Sequence, residues 1–328
     1  MSIKALEQHL APLHPFLKMD GVTEICINQP QEVFVEQRGK FVSYPMPELE
    51  YGFLEALGAL IAEFNNKDFP APLLSGSLPS GERIQFVMNP GCESQKLVCS
   101  IRRQQMRDMS LDDYVSLGSF NEVAIGGQPI LSSNQKLKAL YEKRDTLGFI
   151  KQAICARKNI LISGGTGTGK TTFLNACLRW IPMGERIITV EDTREVRVAQ
   201  SNAAHLLFNE DDEAITALKM FKVCLRLRPD RIFLSELRGA EVWPYLRAAN
   251  SGHPGSLSTV HADTPEGALT QLVFMMQQAG STSSEERIRD YIKSIIHIVI
   301  QLKRDTSESR FMYVSDVYFN DKNEWNEE

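Results

Sequence analysis

The stretch NILISGGTGTGKTTFLNACLRW, residues 159–180, limits this chain more than any other. A short apolar run of strand character passes through a glycine-rich turn into a helical pattern that Pro182 stops. A strand that leads into a helix in this way needs a crossover before its parallel neighbour, so the surrounding chain should build a sheet with helices packed on it. The rhythm on either side agrees. A helix over 145–157 precedes the loop. After it come the strand RIITV, a helix carrying Ile215, Leu218, Phe221 and Leu225, and the strands RIFLS and SLSTVH. Thr264 and Pro265 open a later helix that Gly280 can cap, and Ser283 with Glu286 reads as a capping box for the next. The runs IIHIVIQLK and RFMYVSDVYF look like a closing hairpin. The expectation is an α/β domain with a mainly parallel sheet over 136–328.

The first third reads differently. TEICIN, EVFVEQ and FVSY are strands separated by turn residues, which predicts an antiparallel meander. A helix around Leu54 to Phe64 and two further strands, RIQFVMN and KLVCSIR, complete a smaller α+β domain over 1–116. Residues 117–135, rich in Gly, Ser, Asn and Pro, are the expected linker. Ile3, Leu6, Leu10 and Leu13 recur at helical spacing, as in a membrane-surface helix or one docked on the body. The lack of aromatics and of a basic flank favours docking.

A chain of 328 residues has room for these two domains. A net charge of −5 gives no global field toward nucleic acid or anionic lipid. The six cysteines include no C-x-x-C pair, so they read as buried thiols in a reducing cytosol. With no signal peptide and no apolar run of about 18 residues, a cytoplasmic location is expected.

The glycine turn fits G-x-x-x-x-G-K-[ST] between strand and helix, where that pattern cradles phosphate. Gly164, Gly165, Gly167 and Gly169, with Thr166 and Thr168 between them, let successive N–H groups point at an anion, and the helix N-terminus adds partial positive charge. Lys170 is placed for the β- and γ-phosphates of ATP and the Thr171 hydroxyl for Mg²⁺. Thr172 either meets the α-phosphate or caps the helix.

In open parallel sheets ligands sit at the carboxyl ends of the strands. Here RIITV ends in Glu191 and Asp192, and RIFLS is followed by Glu236 and Arg238. One carboxylate can hold Mg²⁺ while another activates water. Glu191 is taken as the base and Glu236 as the metal-side acid, though the roles are exchangeable. His253 and His261 stand eight residues apart around a Pro-Gly turn, unlike the four-residue spacing of a helical zinc pair.

Together the phosphate loop, ITVEDTREV, LRLRPDRIFLSELRGAE and SGHPGSLSTVHADTPEGAL resemble the ordered motifs of the secretion ATPases that drive type II and type IV secretion and type IV pili. The lack of a tetracysteine insert makes the chain most similar to the short type IV secretion branch. The resemblance implies a RecA-like P-loop ATPase domain, a homohexamer, and peripheral attachment to the inner membrane. It also implies inner-membrane channel components as partners, with other secretion ATPases or a coupling protein beside them. It gives His261 a place sensing the γ-phosphate and His253 an anchoring role at the nucleotide site, with Arg238 nearby. It sends Arg83 and Arg102 from the N-terminal domain to the phosphates. Ser235 and Ser251 replace the family's usual Gly and Thr. A pilus-retraction motor and a nucleic-acid motor are the rival readings. The acidic balance and the histidine motif count against the second, and no sequence-specific nucleic-acid binding is expected.

Overall fold

The computed structural model describes residues 3–103, 110–116, 132–305 and 312–320. The chain forms two sheets. Six antiparallel strands make the first, β1 (Val22–Ile27), β2 (Glu32–Gln37), β3 (Lys40–Pro45), β4 (Leu73–Ser77), β5 (Arg83–Met88) and β6 (Leu97–Arg102), in the order β3-β2-β1-β6-β5-β4. Its helices are α1 (Ile3–His9), α2 (His14–Lys18) and α3 (Tyr51–Phe64). Leu6, Leu10 and Leu13 are buried with Leu54, Leu57 and Ile61 of α3 in one apolar cluster. The N-terminal apolar stripe is therefore used up in docking on the body, and only Ile3 remains exposed.

The second sheet has seven strands: β7 (Ile160–Ser163), β8 (Ile187–Glu191), β9 (Ala203–Leu207), β10 (Arg231–Leu234), β11 (Leu257–Val260), β12 (Ile298–Lys303) and β13 (Tyr313–Phe319). They run β13-β12-β7-β11-β10-β8-β9, and every pairing is parallel except β12 with β13. The helices of this half are α5 (Ser132–Glu142), α6 (Thr146–Cys155), α7 (Lys170–Leu178), α8 (Ala217–Cys224), α9 (Val242–Asn250), α10 (Pro265–Gln278) and α11 (Glu285–Ile295), and a short α4 (Leu111–Ser116) lies between the halves in sequence. Separate apolar clusters contain Met220, Phe221 and Leu272 in one case and Phe149, Ile154 and Leu174 in the other. Strands β7, β8, β10 and β11 are buried throughout, as sheets covered on both faces require.

Local signals account for most boundaries. Thr264 accepts from the Gly267 amide at the start of α10, and Gly280, at φ +94°, follows its end. At α11 the cap is Ser284, accepting from the Arg287 amide, and not the Ser283 expected from the Glu286 spacing. Residues 132–135, assigned to the linker by composition, form the first turn of α5, while 117–131 lie outside the described residues. Strands β4 and β9 are not anticipated by the sequence. AAHLL has helix-forming composition, and it is held extended by β8 on one side and by Leu207 N donating to Gly91 O at 2.8 Å on the other.

That contact joins the halves. Arg186, fully buried, donates Nη1 to Asn28 Oδ1 at 2.8 Å, and Asn28 Nδ2 donates to Asn202 Oδ1 at 3.0 Å. Arg228 pairs with Glu36 at 2.5 Å. The N-terminal sheet is thus seated against the β9 side of the parallel sheet. Among the described residues no helix is long and apolar enough to cross a membrane.

Candidate active site

The glycines between β7 and α7 are where close approach is needed. A Cβ on Gly164 would lie 2.4 Å from Thr168 Oγ1, and Gly169 ends the loop at φ +77° as the residue before the first turn of α7. Thr168 Oγ1 closes the loop on itself by donating to Gly165 O at 2.8 Å. Among the described residues, the amides of Thr166, Gly167 and Gly169 donate to no protein acceptor. They form a cluster of unspent donors at a helix N-terminus, which is the arrangement that suits phosphate.

Lys170 Nζ reaches back to Gly164 O at 2.8 Å and to His261 Nδ1 at 3.3 Å. Burial lowers its pKa, and the charge of Glu236 opposes that shift. Glu236 follows β10 and is held from both sides. Its Oε1 lies 2.7 Å from His261 Nε2, and its Oε2 accepts from Arg238 Nη2 at 2.5 Å. Arg238 Nη1 also donates to Asp192 Oδ2 at 3.0 Å, which ties the turn after β8 to the turn after β10. The cleft so enclosed is about 430 Å³, and Thr171, Thr172 and Glu195 share its lining with these groups. Because α7 is capped by Gly169 without a side chain, Thr172 has no capping role and faces the cleft.

Other expected residues stand elsewhere. Glu191 is fully buried and outside the cleft lining. Its Oε1 accepts from Thr189 Oγ1 at 2.6 Å, and its Oε2 accepts from the amides of Glu195 and Val196 at 2.8 and 2.7 Å. The reason is strand parity: the last residue of β8 shares the face of Thr189, and the chain turns only at Asp192 toward the phosphate loop. Glu191 therefore shapes the turn instead of facing a nucleophile. His253 precedes β11, at the end of the sheet opposite the phosphate loop, which follows the paired strand β7. It cannot touch a nucleotide in the cleft of its own chain. Among the described residues its Nδ1 is buried without a partner, and burial lowers its pKa.

Arg83 and Arg102 are cross-strand neighbours on β5 and β6, and both are exposed. They line a separate cavity of about 520 Å³ with Arg226, so a single chain does not bring them to the phosphate loop. Sequence reasoning named Asp192 at the strand end without giving it a role, and it missed Glu195 in the cleft and Thr189 and His205 behind it. Asp192 was legible from its place one residue past the strand end.

Residues 129–324 match the family described as type II/IV secretion system protein. The chain belongs to that family. The type IV secretion system protein VirB11 of Brucella suis is 34% identical over 95% of this chain and 89% of its own length. VirB11 of Bartonella henselae is 36% identical over 94% of this chain and 91% of its own. PtlH of Bordetella pertussis, another type IV secretion system protein, is 34% identical over 97% of this chain and 96% of its own. The crystal structure of the Brucella suis VirB11 ATPase in complex with sulphate superposes with a TM-score of 0.91, covering 97% of this chain and 99% of that one. The whole two-sheet architecture is therefore common to this secretion ATPase and the present member of the family.

Proposed function

We propose that this chain hydrolyses ATP in the cleft at the carboxyl ends of β7, β11, β10 and β8. As a subunit of a homohexameric ring at the cytoplasmic face of the inner membrane, it powers substrate transport or pilus assembly in a type IV secretion system. The observation that carries the reading is the meeting of three unspent loop amides with Lys170, Glu236 and His261 in one cleft. The similarity to a VirB11 ATPase and to type IV secretion system proteins supports the same assignment.

In this reading the amides of Thr166, Gly167 and Gly169 hold the β-phosphate and Lys170 compensates the charge of the γ-phosphate. Thr171 and Glu236 would supply the oxygen donors Mg²⁺ prefers, and beside them the buried Ser235 hydroxyl has no partner among the described residues. Bound Mg²⁺ would neutralise phosphate charge. Glu236, with His261 on its outer oxygen, orients the attacking water and accepts its proton. Arg238 fixes Glu236 and senses Asp192.

Because Arg83 and Arg102 line a different cavity, their proposed phosphate contacts come from a neighbouring copy in the ring. Channel components of the inner membrane are the expected partners, and secretion is the expected use of the motion.

The ring is tested by measuring phosphate release and sedimentation across protein concentrations. Specific activity should rise together with a sixfold mass. A monomer that hydrolyses ATP at the full rate would contradict this assembly.

A further inference from the structure

Behind the cleft lies a buried polar chain that the proposed chemistry does not use. His205 Nδ1, on β9, is 2.8 Å from Thr189 Oγ1 on β8. The same hydroxyl donates to Glu191 Oε1 at 2.6 Å, so the imidazole nitrogen can meet it only by donating its own proton. Glu191 then holds the amides of Glu195 and Val196, and the turn between carries Asp192 and Glu195 into the cleft.

On its other side His205 lines a polar cavity of about 160 Å³ between the two halves of the molecule. Asn28, Glu93 and Lys96 come to it from the N-terminal half, and Gln200 from the parallel-sheet half. We propose that His205 is a positioning residue: through Thr189 it orients the Glu191 carboxylate, and through Glu191 it sets the shape of the acid-bearing turn at the nucleotide cleft. This rests on the reading of that cleft as the site of ATP hydrolysis.

The arrangement has physical reasons to be stiff. Glu191 is fully buried, and burial raises its pKa against the lowering effect of its hydrogen bonds. Each bond removed makes the carboxylate harder to keep ionised. An ionised carboxylate takes two backbone amides far better than a neutral acid does. The imidazole is itself held neutral, with burial the largest cause. Its donated proton therefore comes from a fixed tautomer and not from a charge that solvent could discharge.

Thr189→Val and Thr189→Ser test the chain with little change in volume, and His205→Phe tests its far end. Thr189→Val should lower kcat for ATP about tenfold with KM changed less than twofold, and Thr189→Ser should restore most of the rate. His205→Phe should resemble Thr189→Val. Independently of activity, hydrogen exchange at the amides of Glu195 and Val196 should quicken about tenfold in Thr189→Val and return toward wild type in Thr189→Ser. Wild-type kcat and exchange in Thr189→Val would overturn the proposal. So would equal loss in the Val and Ser variants, since that would report packing alone. Lys170→Ala, measured alongside, separates the two readings: if it still hydrolyses ATP, the cleft assignment has failed, while the exchange result still decides whether His205 and Thr189 position the turn.

Discussion

His261 Nε2 lies 2.7 Å from Glu236 Oε1, and the same ring is 3.3 Å from Lys170 Nζ. One imidazole thus touches both the cation at the end of the glycine loop and the acid that follows β10. With Arg238 bridging Glu236 to Asp192, a continuous line of polar and charged groups crosses the cleft. Lys170 and the acids of the cleft are thus linked by direct side-chain contacts within the site.

Glu236→Gln should lower kcat by about a hundredfold or more while nucleotide binding survives, because the loop amides and Lys170 are untouched. Phosphate release together with binding of a fluorescent ATP analogue checks this. Loss of binding with unchanged single-turnover chemistry would remove Glu236 from its proposed role.

Arg83 and Arg102 should act on a neighbour's cleft. Arg102→Ala alone and Lys170→Ala alone should each be nearly inactive. Rings reassembled from a mixture of the two should regain a measurable share of the rate, because some clefts then have a good loop and a good arginine. Mixtures that stay at the background of the separate variants would place the arginines' action within one chain or nowhere.

His297 is half-buried, and its Nδ1 accepts the Asn159 amide at 3.0 Å. Burial, aided by Lys158, pushes its pKa down to about 4. A folded pKa below the unfolded value of about 6.5 means that the unfolded chain takes the proton first. The stabilisation is therefore present above about pH 6.5 and lost as pH falls toward 4, at roughly 1.4 kcal/mol per unit from this residue. Melting temperatures of wild type and His297→Asn should converge as pH is lowered through that window. A constant difference would refute the assignment.

Arg231 is fully buried at the start of β10, with Nε and Nη2 on Glu185 at 2.6 and 3.1 Å and Nη1 on Ile154 O at 2.8 Å. Arg231→Ala leaves the largely buried Glu185 carboxylate only the more exposed Arg157, at 3.3 Å, as an ion-pair partner among the described residues, and should destabilise the parallel-sheet half by about 3 kcal/mol. Replacing both partners, with Arg231→Met and Glu185→Leu, should recover most of that loss in a denaturant titration. A double variant no more stable than the single one would show that the loss does not come from an underpaired buried charge.

The parallel half was readable because its strands are short apolar runs bounded by glycine, acid or proline, with helical periodicity between them. Legibility failed where tertiary contacts overrule local preference, as in β9, whose Ala and Leu are held extended by neighbours on both sides. At the site, motif spacing led to Lys170, Thr171, Glu236 and His261, which do converge. It misled at Glu191 and His253 because a motif says which residues lie near a strand end, whereas strand parity and strand direction decide where each side chain goes. Arg83 and Arg102 share a cavity of their own, so sequence could pair them with each other but not with the loop.

The most direct measurement is phosphate release by Lys170→Ala, with its melting curve recorded beside wild type. Lys170 is half-buried at the start of α7, after a loop whose fold depends on glycine conformations and on Thr168, so the variant should melt as wild type does and release no phosphate above background. Turnover close to wild type in a folded Lys170→Ala protein would mean that ATP is hydrolysed somewhere other than this cleft.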